Sequence, residues 1–249
     1  MTVKPGFEYD EIPAGYYDRV LEEGHPVQRA WHAQKFSRVR ELLALGEHAR
    51  LLDVGCGPGT FLGGFQGPRE GELVGIDISR PQIEYAESKY GTPWRRFVRV
   101  DSSGPWPFES ASFDSLTMIE VIEHLDRERI QGLSAECARV LKPGSTFVLT
   151  TPNYTSHWPL LEWMVGRLSK VKYEEQHVTR FHRPFLRREL ARVLGDRFEL
   201  EYATTIHFVA PFLAPLSRGA SDRVARALTP RHWFWPFGAL IIARLRFLG

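Results

Sequence analysis

From Gly15 to Leu45 apolar side chains recur every three or four positions (YYDRVLEEGHPVQRAWHAQKFSRVRELLAL), the period of an amphipathic helix. Gly24 and Pro26 interrupt the run and divide it into two helices. The period then changes. ARLLDVGCGPG is an apolar strand ending in glycines, followed by the helical TFLGGFQ. GELVGIDIS is a second strand, with Pro81 near the start of a helix through QIEYAESKY. RRFVRVDSS is a third strand. FDSLTMIEVIEHL is a fourth that passes into the helix RERIQGLSAECARVL, and KPGSTFVLTTPN is a turn and a fifth. Strands alternating with helices in this way predict an α/β, doubly wound, mostly parallel sheet with helices on both faces.

Beyond Asn153 the alternation stops. Residues 154–190 are aromatic and basic without a clean period, RFELEYATTIHF reads as a sixth strand, and GALIIARLRF reads as a seventh after the helical SDRVARAL. The expected organisation is an N-terminal helical cap over residues 1–46 and a seven-stranded domain over residues 47–249. Two cap insertions interrupt that domain, at about 154–190 and 210–235. No repeat or low-complexity tract is present.

Composition narrows the class. A chain of 249 residues, 43% hydrophobic and 25% charged, can bury a large core, and a net charge of +2 gives no overall attraction to polyanions. Two cysteines, Cys56 and Cys137, do not make a disulfide framework, so a reducing cytoplasm is the expected setting. The first twenty residues lack an apolar stretch, so no signal peptide is expected there. The late runs YATTIHFVAPFLAPLS and HWFWPFGALIIA contain proline and fall short of the roughly 20 residues that span a bilayer.

Ligands of open parallel sheets sit beyond the carboxyl ends of the strands. Gly55, Asp77, Asp101, Glu120 and Asn153 fall at such ends. Gly55, Gly57 and Gly59 allow a tight turn and a close backbone approach, but their spacing is not the G-x-G-x-x-G of dinucleotide dehydrogenases. Asp77, 24 residues after Asp53, suits a ribose diol, and Asp101 followed by Ser102 suits the edge of an adenine. Acids at three strand ends and no P-loop lysine favour a nucleoside ligand with little or no phosphate.

The segments LLDVGCGPG, VGIDIS, VRVDSS with WPFESASFDSLTMIEVIEHL, and LKPGSTFVLTTPN together resemble the class I S-adenosylmethionine-dependent methyltransferases over residues 50–153. The resemblance implies S-adenosyl-L-methionine as cofactor. Asp53, Gly55, Cys56, Gly57 and Gly59 would surround its methionine part, and Asp77 with Ile78 would hold the ribose. Asp101 and Ser102 would read the adenine, and Glu120 would lie over the cofactor.

Three ionisable groups in MIEVIEHL then need an explanation. If a helix begins at Glu120, then Glu120, Glu123 and His124 share one face at i, i+3 and i+4. Ubiquinone-type O-methyltransferases and small-RNA 2′-O-methyltransferases show a similar E-x-x-E-H with a later histidine, and His177 takes that place here. Glu120, Glu123, His124 and His177 could hold a divalent metal. The metal-free reading is preferred, with His124 or His177 as a general base. The ordinary alternatives are a glutamate favoured in a helix's first turn and a histidine that packs.

Eight basic residues against three acids between Arg167 and Arg192 suggest an anionic acceptor or a solvated helix face. Aromatic residues in both insertions suggest cap packing, or an apolar acceptor taken from a membrane surface. No N-P-P-Y-type motif follows the fourth strand, which argues against amide or adenine N-methylation. The expected reaction is O-methylation of a small-molecule or lipid- or sugar-linked acceptor. RNA 2′-O-methylation and a catalytically silent cofactor-binding scaffold are the rivals.

Overall fold

In the computed structural model, residues 12–67, 69–101, 104–161, 163, 177–228 and 237–249 are described. All seven expected strands form: β1 (Leu51–Val54), β2 (Leu73–Asp77), β3 (Arg95–Arg99), β4 (Phe113–Ile119), β5 (Leu141–Pro152), β6 (Phe198–Ile206) and β7 (Leu240–Phe247). They make one sheet in the order β3-β2-β1-β4-β5-β7-β6. The pairs among β1 to β5 are parallel, and β7 runs antiparallel to both β5 and β6. Every residue of β1 and β2 is buried. Central strands covered on both faces have no solvent side, which is why their sequence is apolar without alternation.

The helices with defined bounds among the described residues are α1 (Tyr16–Glu23), α2 (Pro26–Leu43), α3 (Thr60–Gly63), α4 (Arg80–Tyr90), α5 (Arg127–Val140), α6 (Leu186–Leu194) and α7 (Arg218–Leu228). On one face of the sheet, Ile130 and Cys137 of α5 and Leu186, Leu190 and Val193 of α6 pack with Leu52, Met118 and Phe147. On the other, Phe36, Val39 and Leu42 of α2, Phe61 of α3 and Ile83 of α4 pack with Leu51, Val148 and Ile242. These two layers seal the sheet.

The expected cap regions divide accordingly. From Phe36 onward α2 belongs to the core, and only its N-terminal part with α1 overhangs the strand ends. The 154–190 insertion is shorter than expected at its far end. Phe181 bridges back to Asn153 and is buried in the main core, and α6 continues that core. A helix does not begin at Glu120, the condition under which Glu120, Glu123 and His124 would share one helix face. Glu120 takes a left-handed φ of 54°, and Ile122–His124 is a single 3-10 turn. The helix read over RERIQGLSAECARVL begins at Arg127, where the Asp126 carboxylate accepts the Arg129 N–H at 2.9 Å. No helix among the described residues is long and apolar enough to cross a membrane.

Phe147 on β5 is fully buried between strand and helix layers. Phe147→Ala is expected to cost about 3–5 kcal/mol in urea unfolding, because truncation leaves a cavity that the sheet cannot collapse.

Candidate active site

One cleft of about 560 Å³ runs along the carboxyl ends of β1, β2 and β4 and under the start of α2. Its floor is the loop after β1. Gly55 has φ 71°, and a Cβ there would come within 2.4 Å of Val121 Cγ2, so only glycine fits the turn. Gly57, with φ 51°, has open space where a Cβ would stand, and that space is the cleft. Cys56 also lines the cleft, but burial pushes its thiol well above the usual range, so it is no nucleophile.

Asp77 holds this loop. Its Oδ2 accepts the Gly57 N–H at 2.9 Å and its Oδ1 accepts the Ser79 N–H at 2.9 Å. A carboxylate oxygen has two lone pairs, so each can still accept a hydroxyl from the cleft. Burial raises the Asp77 pKa against the lowering effect of these backbone bonds. Behind it, Asp53 accepts the Thr117 hydroxyl at 2.6 Å and is almost fully buried. Burial pushes the Asp53 carboxyl up to about 7, offset in part by Thr117 and reinforced by Asp77.

Ile78 and Asp101 line the next part of the cleft. Asp101 is 73% exposed and pairs with Arg99 at 3.2 Å, so it stands at the rim. Ser102 lies outside the described residues. Trp106, which the sequence reading did not single out, lines the same end and is buried.

At the opposite end α2 meets β4. The ammonium of Lys35, only 2% exposed, donates to Glu120 Oε2. Glu120 is held in turn by its N–H, which donates to the carbonyl and the hydroxyl of Thr150 at 3.2 and 3.1 Å. Lys35 had a signal in the sequence. It occupies the apolar stripe of α2, four residues from both Trp31 and Val39, where a lysine is out of pattern. Trp31, His32 and Tyr17 reach the cleft beside it.

Glu123, His124 and His177 come together. One ligand atom from each lies within 4.8 Å of the others. Glu120 is not in that group, and its carboxylate faces Lys35 instead. Glu123 is 1% exposed and neither of its oxygens makes a well-formed hydrogen bond. Burial, with Glu120 nearby, drives its pKa well above the usual carboxylate range. His177 Nδ1 is 2.8 Å from the Tyr154 hydroxyl, and its ring is 5.1 Å from that of His124. Asn153, by contrast, is structural: its amide donates to Gly238 O, and its oxygen accepts from Thr155 and Arg183 N–H.

Residues 52–149 match the family described as a methyltransferase domain. The chain carries a methyltransferase domain. It is 38% identical over 115 residues to O-methyltransferase cnsE of Penicillium expansum, covering 45% of this chain and 40% of that protein. It is 28% identical over 180 residues to the ubiquinone biosynthesis O-methyltransferase of Paracidovorax citrulli, covering 67% of this chain and 71% of that protein. The chain thus spans less than half of the fungal relative. Geranyl diphosphate C-methyltransferase of Streptomyces coelicolor A3(2) superposes with a TM-score of 0.59 at 14% identity, over 94% of this chain and 84% of that one, a likeness of fold. The resemblance read from residues 50–153 is therefore borne out.

Two predictions follow from the carboxylates. Asp77→Ala removes the acceptor for two backbone N–H groups and, on the reading that Asp77 holds a ribose, for its hydroxyls, so S-adenosylmethionine affinity should fall by roughly one to two decades in calorimetry. Asp53 has a folded pKa above its unfolded value, so the folded state binds more protons between about pH 4 and 7. Across that window its contribution to stability should decline as pH rises, by up to about 4 kcal/mol, and level off above pH 7. Asp53→Asn should remove that slope from pH-dependent unfolding curves, and an unchanged slope would exclude Asp53 as its source.

Proposed function

We propose that this chain transfers the sulfonium methyl of S-adenosylmethionine to an oxygen of a small-molecule or lipid-linked acceptor. What carries the reading is that a single cleft joins the Gly55–Gly59 loop and Asp77 at one end to His124 and His177 at the other. The O-methyltransferases among the similar proteins point the same way.

S-adenosylmethionine, when bound, supplies an already activated methyl group, so the protein's task is alignment, water exclusion and proton removal. Asp77 and the loop it holds orient the nucleoside. Lys35 and Glu120, opposite charges at the far end, suit a zwitterionic amino-acid group. The N-terminal part of α2 roofs the cleft with Trp31 and His32, which limits water at the reacting centre. As the oxygen–carbon bond forms and the sulfur–carbon bond breaks, a ring nitrogen of His177 or His124 takes the acceptor's hydroxyl proton. The products are S-adenosylhomocysteine, the methyl ether and a protonated imidazole. Tyr154 orients His177 for this role.

A second reading rests on Glu123. A buried carboxylate without a well-formed hydrogen bond, beside two imidazoles, fits a divalent cation with one oxygen and two nitrogen donors. Such an ion would supply Lewis acidity to the acceptor oxygen. Arg129 in the cleft, and Arg180 stacked 5.1 Å from the Tyr154 ring, favour an acceptor that carries negative charge. Both cysteines are buried and unpaired, which supports a reducing, cytoplasmic setting.

Incubating the protein with S-adenosylmethionine and a cell extract should yield a product heavier by one methyl group. His124→Ala with His177→Ala should slow turnover about 10²–10⁴-fold while cofactor affinity stays within a few fold. A chelator should leave the rate unchanged on the metal-free reading. Loss of the rate, with recovery on adding one divalent metal, would instead select the Glu123 site. Full activity in the double variant would remove both histidines from the chemistry.

A further inference from the structure

The segment between β6 and α7 gathers exposed apolar side chains in a way that cofactor binding does not explain. Phe208, Val209, Phe212 and Leu216 are exposed within nine residues, around the 3-10 turn Ala210–Leu213, and Leu216 is 85% exposed. Phe237 joins them. The His157 ring is drawn to the Phe237 backbone and packs 6.0 Å from Phe208 and 6.4 Å from Phe212. Leu160, exposed one turn after His157, belongs to the same neighbourhood. A cluster of this kind, drawn from three separate stretches of chain, is unusual on a surface that only meets water.

Charge beside the patch indicates what covers it. α7 begins two residues after Leu216 and exposes Arg218, Arg223 and Arg226 against one acid, Asp222. That acid is engaged by the Gln34 amide at 3.2 Å. Aromatic and leucine side chains next to exposed arginines match the layered chemistry of an anionic bilayer surface, with apolar groups among the acyl chains and guanidinium groups at the phosphates. Position adds a second argument. Phe212 is 42% exposed and also lines the cofactor cleft, so the patch is continuous with the mouth of the candidate active site.

We infer that the Phe208–Leu216 segment and the arginine face of α7 dock the protein on an anionic phospholipid surface, with the cleft opening toward the bilayer. This goes beyond the proposed methyl transfer and does not require it. It adds that the acceptor reaches the cleft from the lipid phase, past Phe212.

The test uses the full chain and co-sedimentation with vesicles of phosphatidylcholine alone or mixed with phosphatidylglycerol. Binding is expected on the mixed vesicles, weakening as salt is raised. It should fall about tenfold or more in Leu216→Asp, and similarly in the triple variant Arg218→Glu, Arg223→Glu, Arg226→Glu. Leu216 touches neither core cluster nor the cleft, so calorimetric S-adenosylmethionine affinity in Leu216→Asp should equal that of the parent. Equal binding to both vesicle types, no binding to either, or undiminished binding by the two variants would each overturn the inference. So would a concentration-dependent dimer in sedimentation velocity that Leu216→Asp converts to monomer, since the patch would then be covered by a second copy. Failure on vesicles with cofactor binding and methyl transfer intact would leave the proposed function standing.

Discussion

The Asp77 carboxylate joins two structures that the sheet alone would leave independent: the glycine loop after β1 and the start of α4 after β2. Both segments must give up backbone hydrogen bonds in order to turn, and one side chain accepts from both. Gly57, in a left-handed conformation, depends on that acceptor, because a buried N–H without a partner costs about 1–3 kcal/mol, whereas the Gly55 and Gly59 N–H groups donate to the Ile76 and Cys56 carbonyls. Asp53, one layer deeper, keeps the floor rigid through Thr117 on the neighbouring strand. The geometry of the nucleoside end thus depends on acids whose burial is costly, and on the backbone bonds that offset that cost.

Most of the sheet was legible because its strands announce themselves. LLDV and LVGID are uninterrupted apolar runs between glycines, and such runs are what a strand buried on both faces requires. The strand-end acids were legible for the same reason, since a charge at the end of an apolar run marks the edge of the core. What could not be read was local geometry at β4. A left-handed glutamate at position 120 follows from Lys35 and Thr150, which lie 85 and 30 residues away in sequence. Helical spacing therefore gave the right grouping for Glu123 and His124 for a reason that the backbone does not use. His177 joins them through Tyr154, not through periodicity.

The extent of the cap is hard to read from sequence because amphipathic helices look alike whether they cover a sheet or a ligand. In α2 both occur in sequence. Trp31 and Lys35 face the cleft, and Phe36, Val39 and Leu42 face the sheet, along one continuous stripe. The Lys35–Glu120 ion pair marks the point of change. Truncating either partner would leave the other charge enclosed, which is far more damaging than the modest value of the pair itself.

The reversed direction of β7 has a consequence for how such a protein can diversify. Because β7 is antiparallel to both β5 and β6, the chain leaves β5, leaves β6 and enters β7 at the same edge, above the cofactor cleft. Both long connections of the C-terminal half therefore have ends at that edge, while the Gly55–Gly59 loop and Asp77 come from the first half of the chain. Connections tolerate insertions and deletions better than strands do, so changes of length there leave strand register and the glycine loop in place. The fold thus separates the glycine loop and its supporting acids from connections that can vary in length at the mouth of the cleft.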